Sequence, residues 1–152
     1  MARMETVPTP VHVGAEELPF LEFGGGNKLK VIQVKPREGL WIVENIFMAG
    51  FETQTHRHTG PAWGYTISGA WRFKESDDVY RAGSFVYEPA GSVHNLVCLE
   101  DNTHGWSLTY GAILPLDADG NVVSVIDGAA TLAVYYALCD AEGIPRPNVL
   151  VD

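Results

Sequence analysis

The chain has 152 residues, enough for one domain with its own core. It is 46% hydrophobic and 19% charged, an ordinary globular composition. Its formal net charge of -9 repels phosphate backbones and anionic lipid, which argues against nucleic-acid and membrane partners and points to a neutral organic ligand.

The start, Met1-Ala2-Arg3-Met4-Glu5, leads into prolines rather than an apolar run, so no signal peptide is expected. No apolar stretch approaches the roughly 18 residues of a membrane span, and a soluble cytoplasmic protein is the expectation. Residues 1–20 hold Pro8, Pro10 and Pro19 with little periodicity and read as an arm that packs on the domain or on a neighbour. Gly24-Gly25-Gly26 is followed by a strand pattern instead of the helix that a nucleotide loop requires, so it reads as a turn.

Strand-like runs rich in β-branched and aromatic residues follow at 29–34, 41–47, 64–67, 70–73, 84–88, 94–99 and 107–113. Pro36, Ser68-Gly69, Asp77-Asp78, Pro89-Ala90-Gly91 and Asp101-Asn102 mark turns between them. Many short strands with frequent turns predict a sandwich or barrel. Asp117-Ala118-Asp119-Gly120-Asn121 is acidic, but a calcium-binding loop needs glycine sixth and glutamate twelfth, so this stretch is a turn between strands. Leu132, Tyr135, Tyr136 and Cys139 then fall at i, i+3, i+4 and i+7, the spacing of an amphipathic helix. Asp127 can cap its start and Gly143 its end, while Pro145 and Pro147 forbid continuation. This helix is expected to cover one end of the barrel. Cys98 and Cys139 lie far apart, and neither count nor spacing suggests a stapled secreted domain.

Chemistry concentrates in three of the five histidines. In His56-Arg57-His58 the two imidazoles are two residues apart, which in a strand puts them on one face with Arg57 pointing away. Gly50 stands six residues before His56, giving G(x)5HxH. Downstream, Gly83, Pro89, Gly91 and His94 complete G(x)5PxG(x)2H. The two motifs, in this order and about this far apart, resemble those of the cupin superfamily across roughly residues 40–115. Residues 56–65 look like a subgroup that includes 2,4'-dihydroxyacetophenone dioxygenase, with the acetylacetone-cleaving dioxygenase a more distant relative. The resemblance implies an all-β fold, the cupin-type double-stranded β-helix or jelly-roll barrel, with a C-terminal helix. The expected organisation is a single domain over 1–152, with an arm at 1–20, a barrel at 29–126 and a helix at 128–142.

The same resemblance implies a metal held by His56, His58 and His94. Most metal cupins add a glutamate four or five residues after the second histidine; here those positions are Ala62 and Trp63, and no carboxylate precedes Gly69. A three-histidine site is therefore implied. Three neutral imidazoles leave an ion its full charge, suited to anionic oxygen donors such as an enolate, with positions open for substrate and dioxygen. Imidazole suits Fe, Zn, Cu and Ni alike; the resemblance favours Fe(II), with Zn or Ni as alternatives. Glu88, six residues before His94, matches a glutamate of the acetylacetone-cleaving enzyme and is the candidate catalytic group, able to hold an imidazole N–H, orient water or take a substrate proton.

Weaker candidates are Glu52 and Gln54, which share the parity of His56, and the strand aromatics Trp63, Tyr65, Trp71, Phe73, Tyr87, Trp106 and Tyr110, most of them expected in the core. His104 is expected exposed in a turn, His12 inert in the arm, and Cys98 buried. The implied activity is C–C cleavage of a small dicarbonyl or hydroxyketone with O2. The competing readings are a non-catalytic metal- or ligand-binding cupin, sensor-like with zinc or nickel, and a metal-independent cupin such as a sugar epimerase. A homo-oligomer, dimer or tetramer, is expected from strand addition at barrel edges and from the arm.

Overall fold

The computed structural model describes residues 6–152, so the expectation for the Met1–Glu5 start lies outside the described residues. After a short 3-10 turn at Ala15–Glu17, thirteen strands and one helix follow: β1 (Leu21–Gly24), β2 (Asn27–Lys35), β3 (Leu40–Phe47), β4 (His56–His58), β5 (Ala62–Ser68), β6 (Ala70–Phe73), β7 (Val79–Arg81), β8 (Phe85–Glu88), β9 (Val93–His94), β10 (Leu96–Cys98), β11 (Thr103–Tyr110), β12 (Ile113–Pro115), α1 (Gly128–Glu142) and β13 (Leu150–Val151). They form a jelly-roll barrel. One sheet runs β1-β2-β3-β11-β5-β8, with β13 parallel to β2; the sheets β10-β6-β7 and β12-β4-β9 complete the wall.

Register explains the interior. On β3, Trp41, Val43, Asn45 and Phe47 share one face. β11 pairs Thr109 with Trp41, Ser107 with Val43, Gly105 with Asn45 and Thr103 with Phe47. β5 in turn sets Thr66, Gly64 and Ala62 against Gly105, Ser107 and Thr109. Two adjacent strands thus send only small side chains inward, and a cavity of about 500 Å³ remains among them. Their large side chains, Trp63, Tyr65, Trp106, Leu108 and Tyr110, take the opposite parity. The expectation of mostly buried aromatics is corrected here: Tyr65, Tyr87, Trp106 and Tyr110 are 37–54% exposed, while Trp71 and Phe73 line the cavity, Phe73 against His94, and Tyr65 and Trp106 border it.

The hydrophobic core lies where α1 meets β1, β2 and β3, built from Leu18, Leu21, Val31, Val34, Trp41, Tyr135 and Cys139 among others. Asp127 accepts a hydrogen bond from the Ala130 N–H at 2.8 Å, and Gly143 closes the helix at φ 69°. The buried stripe is Gly128, Thr131, Tyr135 and Cys139, with Leu132 and Tyr136 flanking it, a shift from the stripe read in the sequence. Ala130, Thr131 and Val134 line the cavity, so the helix closes that end. The arm is pinned by buried Leu18, by Tyr135, whose hydroxyl donates to the Pro19 carbonyl, and by Phe20, which lies under the Lys30 ammonium at 4.3 Å. No helix among the described residues is long and apolar enough to cross a membrane.

Three further expectations are corrected. The run 94–99 is broken into β9 and β10 by Asn95, and the run 107–113 is broken at Gly111, whose φ is 80°. His104 lies in β11 rather than in a turn, on the outer face, where its Nε2 sits 2.6 Å from Glu44 Oε1.

Candidate metal centre

The sheet β12-β4-β9 builds the site. His56 pairs directly with His94 across β4 and β9, and His58 lies on the same face as His56. The second motif also has a local reason. Gly91, at φ 84°, turns the chain so that its N–H donates to the His58 carbonyl at 2.7 Å, while the His58 N–H donates to the Ser92 carbonyl at 3.0 Å. The PxG turn therefore clamps β4 beside β9. The three rings meet with centroids 4.9–5.2 Å apart, all three residues being buried. One ring nitrogen from each lies within 4.8 Å of the others.

The donor set fits a divalent transition metal on three counts. His56 Nδ1 lies 2.8 Å from the Gln54 carbonyl, which holds the proton on that nitrogen and leaves Nε2 free to ligate. The Nε2 atoms of His58 and His94 stand 3.1 Å apart. Two imidazole nitrogens sharing an ion at about 2.0–2.1 Å, at about a right angle, stand about 3 Å apart. Burial is the largest influence on His56 and His58; it lowers both pKa values, His58 to about 4, and so keeps the rings in the neutral form that binds metal.

Glu88 reaches the same point from β8. Its Oε1 is 2.7 Å from His94 Nε2 and 3.5 Å from His58 Nε2. Glu88 is not in the mutually close donor set, so it stands beside the triad. Burial pushes its pKa up, but the hydrogen bond with His94 and the cluster of imidazoles around it outweigh this, and the carboxyl ends below its ordinary value. Glu88 is the register partner of Ala62, the position where a fourth ligand was missing. The carboxylate thus arrives from the neighbouring strand, and the small Ala62 leaves it room. Trp63 points away and packs on Tyr87 and Tyr110.

Phe73 stacks on His94, with centroids 4.1 Å apart. Asn95 was not visible as a candidate, yet it fixes the strand break beside His94. Its side chain donates to Glu52 Oε1 at 2.5 Å, its own N–H donates to Glu75 Oε2 at 3.1 Å, and the Thr53 hydroxyl lies 3.3 Å from its Oδ1. Glu52 and Gln54 do not face the cavity, contrary to expectation. Glu52 is bound to Lys74 at 3.0 Å and Gln54 to the Leu116 carbonyl at 2.8 Å. Residues 53–55 are not a regular strand, so the parity of His56 does not carry back to them. The cavity is otherwise apolar, walled by Trp71, Phe73, Val86, Leu96 and Ile113, with Tyr65 and Trp106 bordering it beside Gly64 and Gly105.

Comparison with known proteins gives a consistent picture. A family model described as the ChrR Cupin-like domain matches residues 8–113. An RmlC-like cupin protein from Ralstonia eutropha JMP134 superposes with a TM-score of 0.83 at 28% identity, covering 93% of this chain and 94% of that one. A protein with a cupin-like fold from the same organism gives 0.86 at 23% identity, over 98% and 96%. An acetylacetone dioxygenase from Acinetobacter johnsonii gives 0.76 at 17% identity, over 91% and 97%. No curated protein matches the chain.

Proposed function

The chain belongs to the ChrR cupin-like family, and on that footing we propose that it is a three-histidine, Fe(II)-dependent dioxygenase that cleaves a C–C bond in a small dicarbonyl or hydroxyketone, within the subgroup resembling 2,4'-dihydroxyacetophenone dioxygenase. The observation that carries this reading is the meeting of three buried imidazoles and one carboxylate oxygen on the wall of an otherwise apolar cavity. His56, His58 and His94 hold the ion. When bound, ferrous iron supplies Lewis acidity toward substrate oxygens and one-electron chemistry with dioxygen.

The protein's own groups do the rest. Glu88, held ionised, accepts at Oε1 the acidic proton from the carbon between or beside the carbonyls, leaving an enolate. Its Oε1 stands 2.7 Å from His94 Nε2, beside the point where the three ring nitrogens converge, so the proton is taken next to the ion's site. Trp71, Phe73, Val86 and Leu96 exclude water around the enolised substrate, which strengthens every electrostatic contact inside. Cleavage then places both atoms of O2 in the two fragments. The cavity's volume of about 500 Å³ admits a substrate with an apolar substituent.

The test is dioxygen uptake by protein stripped of metal and reloaded anaerobically with Fe(II), against β-diketones and hydroxyacetophenones. Uptake that requires both iron and one substrate class supports the reading. Tight zinc or nickel binding with no oxygen use across the panel moves the protein to the non-catalytic, ligand-binding class.

A further inference from the structure

The outer face of β11, β5 and β8 is aromatic where a solvated sheet face would be polar. Register lays it out in rows. Trp106 stands opposite Tyr65, which stands opposite Phe85; Leu108 stands opposite Trp63, which stands opposite Tyr87. Tyr110 and Ile67 extend it. Tyr65 and Trp106 are stacked at 6.0 Å, and Trp63 packs on Tyr87 at 5.6 Å, so the side chains already form a continuous layer. Phe85 is 60% exposed and Tyr87 54%. β8 is the last strand of its sheet, so the layer runs out to a sheet edge.

We propose that this face is an interface with a second copy of the chain, packed sheet on sheet about a two-fold axis. Area is the first argument. Phe, Tyr and Trp each cover roughly 150–250 Å² when fully buried. At their exposures, Tyr65, Phe85, Tyr87, Trp106 and Tyr110 leave roughly 350–550 Å² of aromatic surface open. That lies at the upper end of what a monomer leaves exposed, and it forms the apolar centre of a standard interface of about 800 Å² per partner. Charge is the second. A chain of net charge -9 repels its own copy over most of its surface. These rows carry no charged residue until Glu44, and Glu44 is already matched by Lys30 at 3.6 Å and His104 at 2.6 Å. A neutral, aromatic face is the region where two acidic copies meet at least electrostatic cost. This differs from edge-strand addition, and it stands whether or not the protein is a dioxygenase.

Sedimentation velocity of the full chain at tens of micromolar is expected to give twice the 16.6 kDa chain mass. Phe85→Arg with Tyr87→Arg, both at well-exposed positions, is expected to raise the dimer dissociation constant at least ~30-fold with an unchanged circular dichroism spectrum. Val125→Arg, 58% exposed but off this face, leaves the dimer intact. In the unmutated protein, amide exchange in β8 slows as concentration rises through the dissociation constant. A monomer at all concentrations, a dimer indifferent to the paired substitution, a dimer lost with Val125→Arg, or exchange in β8 that ignores concentration each overturns the proposal.

Discussion

Gly69 and Gly83 both sit at positive φ, +83° and +86°, and both precede a strand of the barrel, yet they should respond very differently to alanine. At Gly83 nothing lies within 4 Å of an added Cβ. Only the left-handed backbone is penalised there, about 1–2 kcal/mol. At Gly69 the Cβ would come 2.3 Å from Thr103 Oγ1 and 2.6 Å from Thr103 Cα. Backbone cannot swing aside as a flexible side chain can. Thr103 is also committed, its hydroxyl donating to the Glu100 carbonyl at 2.7 Å and accepting from the Ala70 N–H at 3.1 Å. Overpacking of about 1–3 kcal/mol, with strain on those hydrogen bonds, adds to the backbone term. Gly69→Ala is therefore expected to cost about 2–5 kcal/mol and Gly83→Ala about 1–2, read from urea unfolding midpoints at constant slope. Gly69 also opens β6, which carries Phe73 against His94, so the first variant alone should weaken metal affinity. Equal losses for the two variants, or a larger loss at Gly83, would refute the claim that contact with Thr103 sets the identity of Gly69.

Glu88→Gln keeps the shape of the side chain but removes the base; iron stoichiometry should stay at one per chain while turnover falls about 10²–10⁴-fold, and unchanged turnover would remove Glu88 from the chemistry. Tyr135→Phe deletes the hydroxyl that donates to the Pro19 carbonyl, which should cost about 1–3 kcal/mol in thermal unfolding and loosen the arm to proteolysis before the barrel yields. In metal-stripped protein, burial holds His58 neutral to about pH 4, whereas the unfolded chain takes up its proton near 6.5. The unfolded state binds more protons across that window, so stability is full above about pH 6.5 and falls toward pH 4, by on the order of 2–3 kcal/mol from His58 alone. The lowered pKa of Glu88 acts in the same direction below its ordinary range. Flat stability between pH 7 and 4 in the absence of metal would contradict this.

The His56–His58 pair was legible because its spacing is local: the two share a strand face whatever lies beyond, and each motif glycine serves a nearby turn, whereas His94 joins them across the β4–β9 pairing and was placed there by the resemblance of its motif. The helix was legible for the same reason, since Asp127 and Gly143 act within one turn of its ends. What the sequence hid depends on partners distant along the chain. That Glu88 stands opposite Ala62, and so supplies a carboxylate from another strand, follows only from the pairing of β5 with β8. Asn95 reads as an ordinary polar residue until Glu52, Thr53 and Glu75 are brought around it. The aromatics of β5 and β11 read as core because aromatic residues usually are; the small residues alternating with them are what open the cavity and turn the large ones outward. His104 looked like a turn residue because Asp101 and Asn102 precede it, and Asn102 does turn the chain at φ 58°, but β11 starts immediately after.

The most direct test of the central claim is stoichiometric: dioxygen consumed per substrate consumed, by the chain loaded with Fe(II) under anaerobic conditions. One O2 per substrate, abolished by chelation and by replacing His58 with alanine, is the predicted result. Full iron loading through the three histidines with no dioxygen consumed, on any enolisable diketone or hydroxyketone, would contradict it.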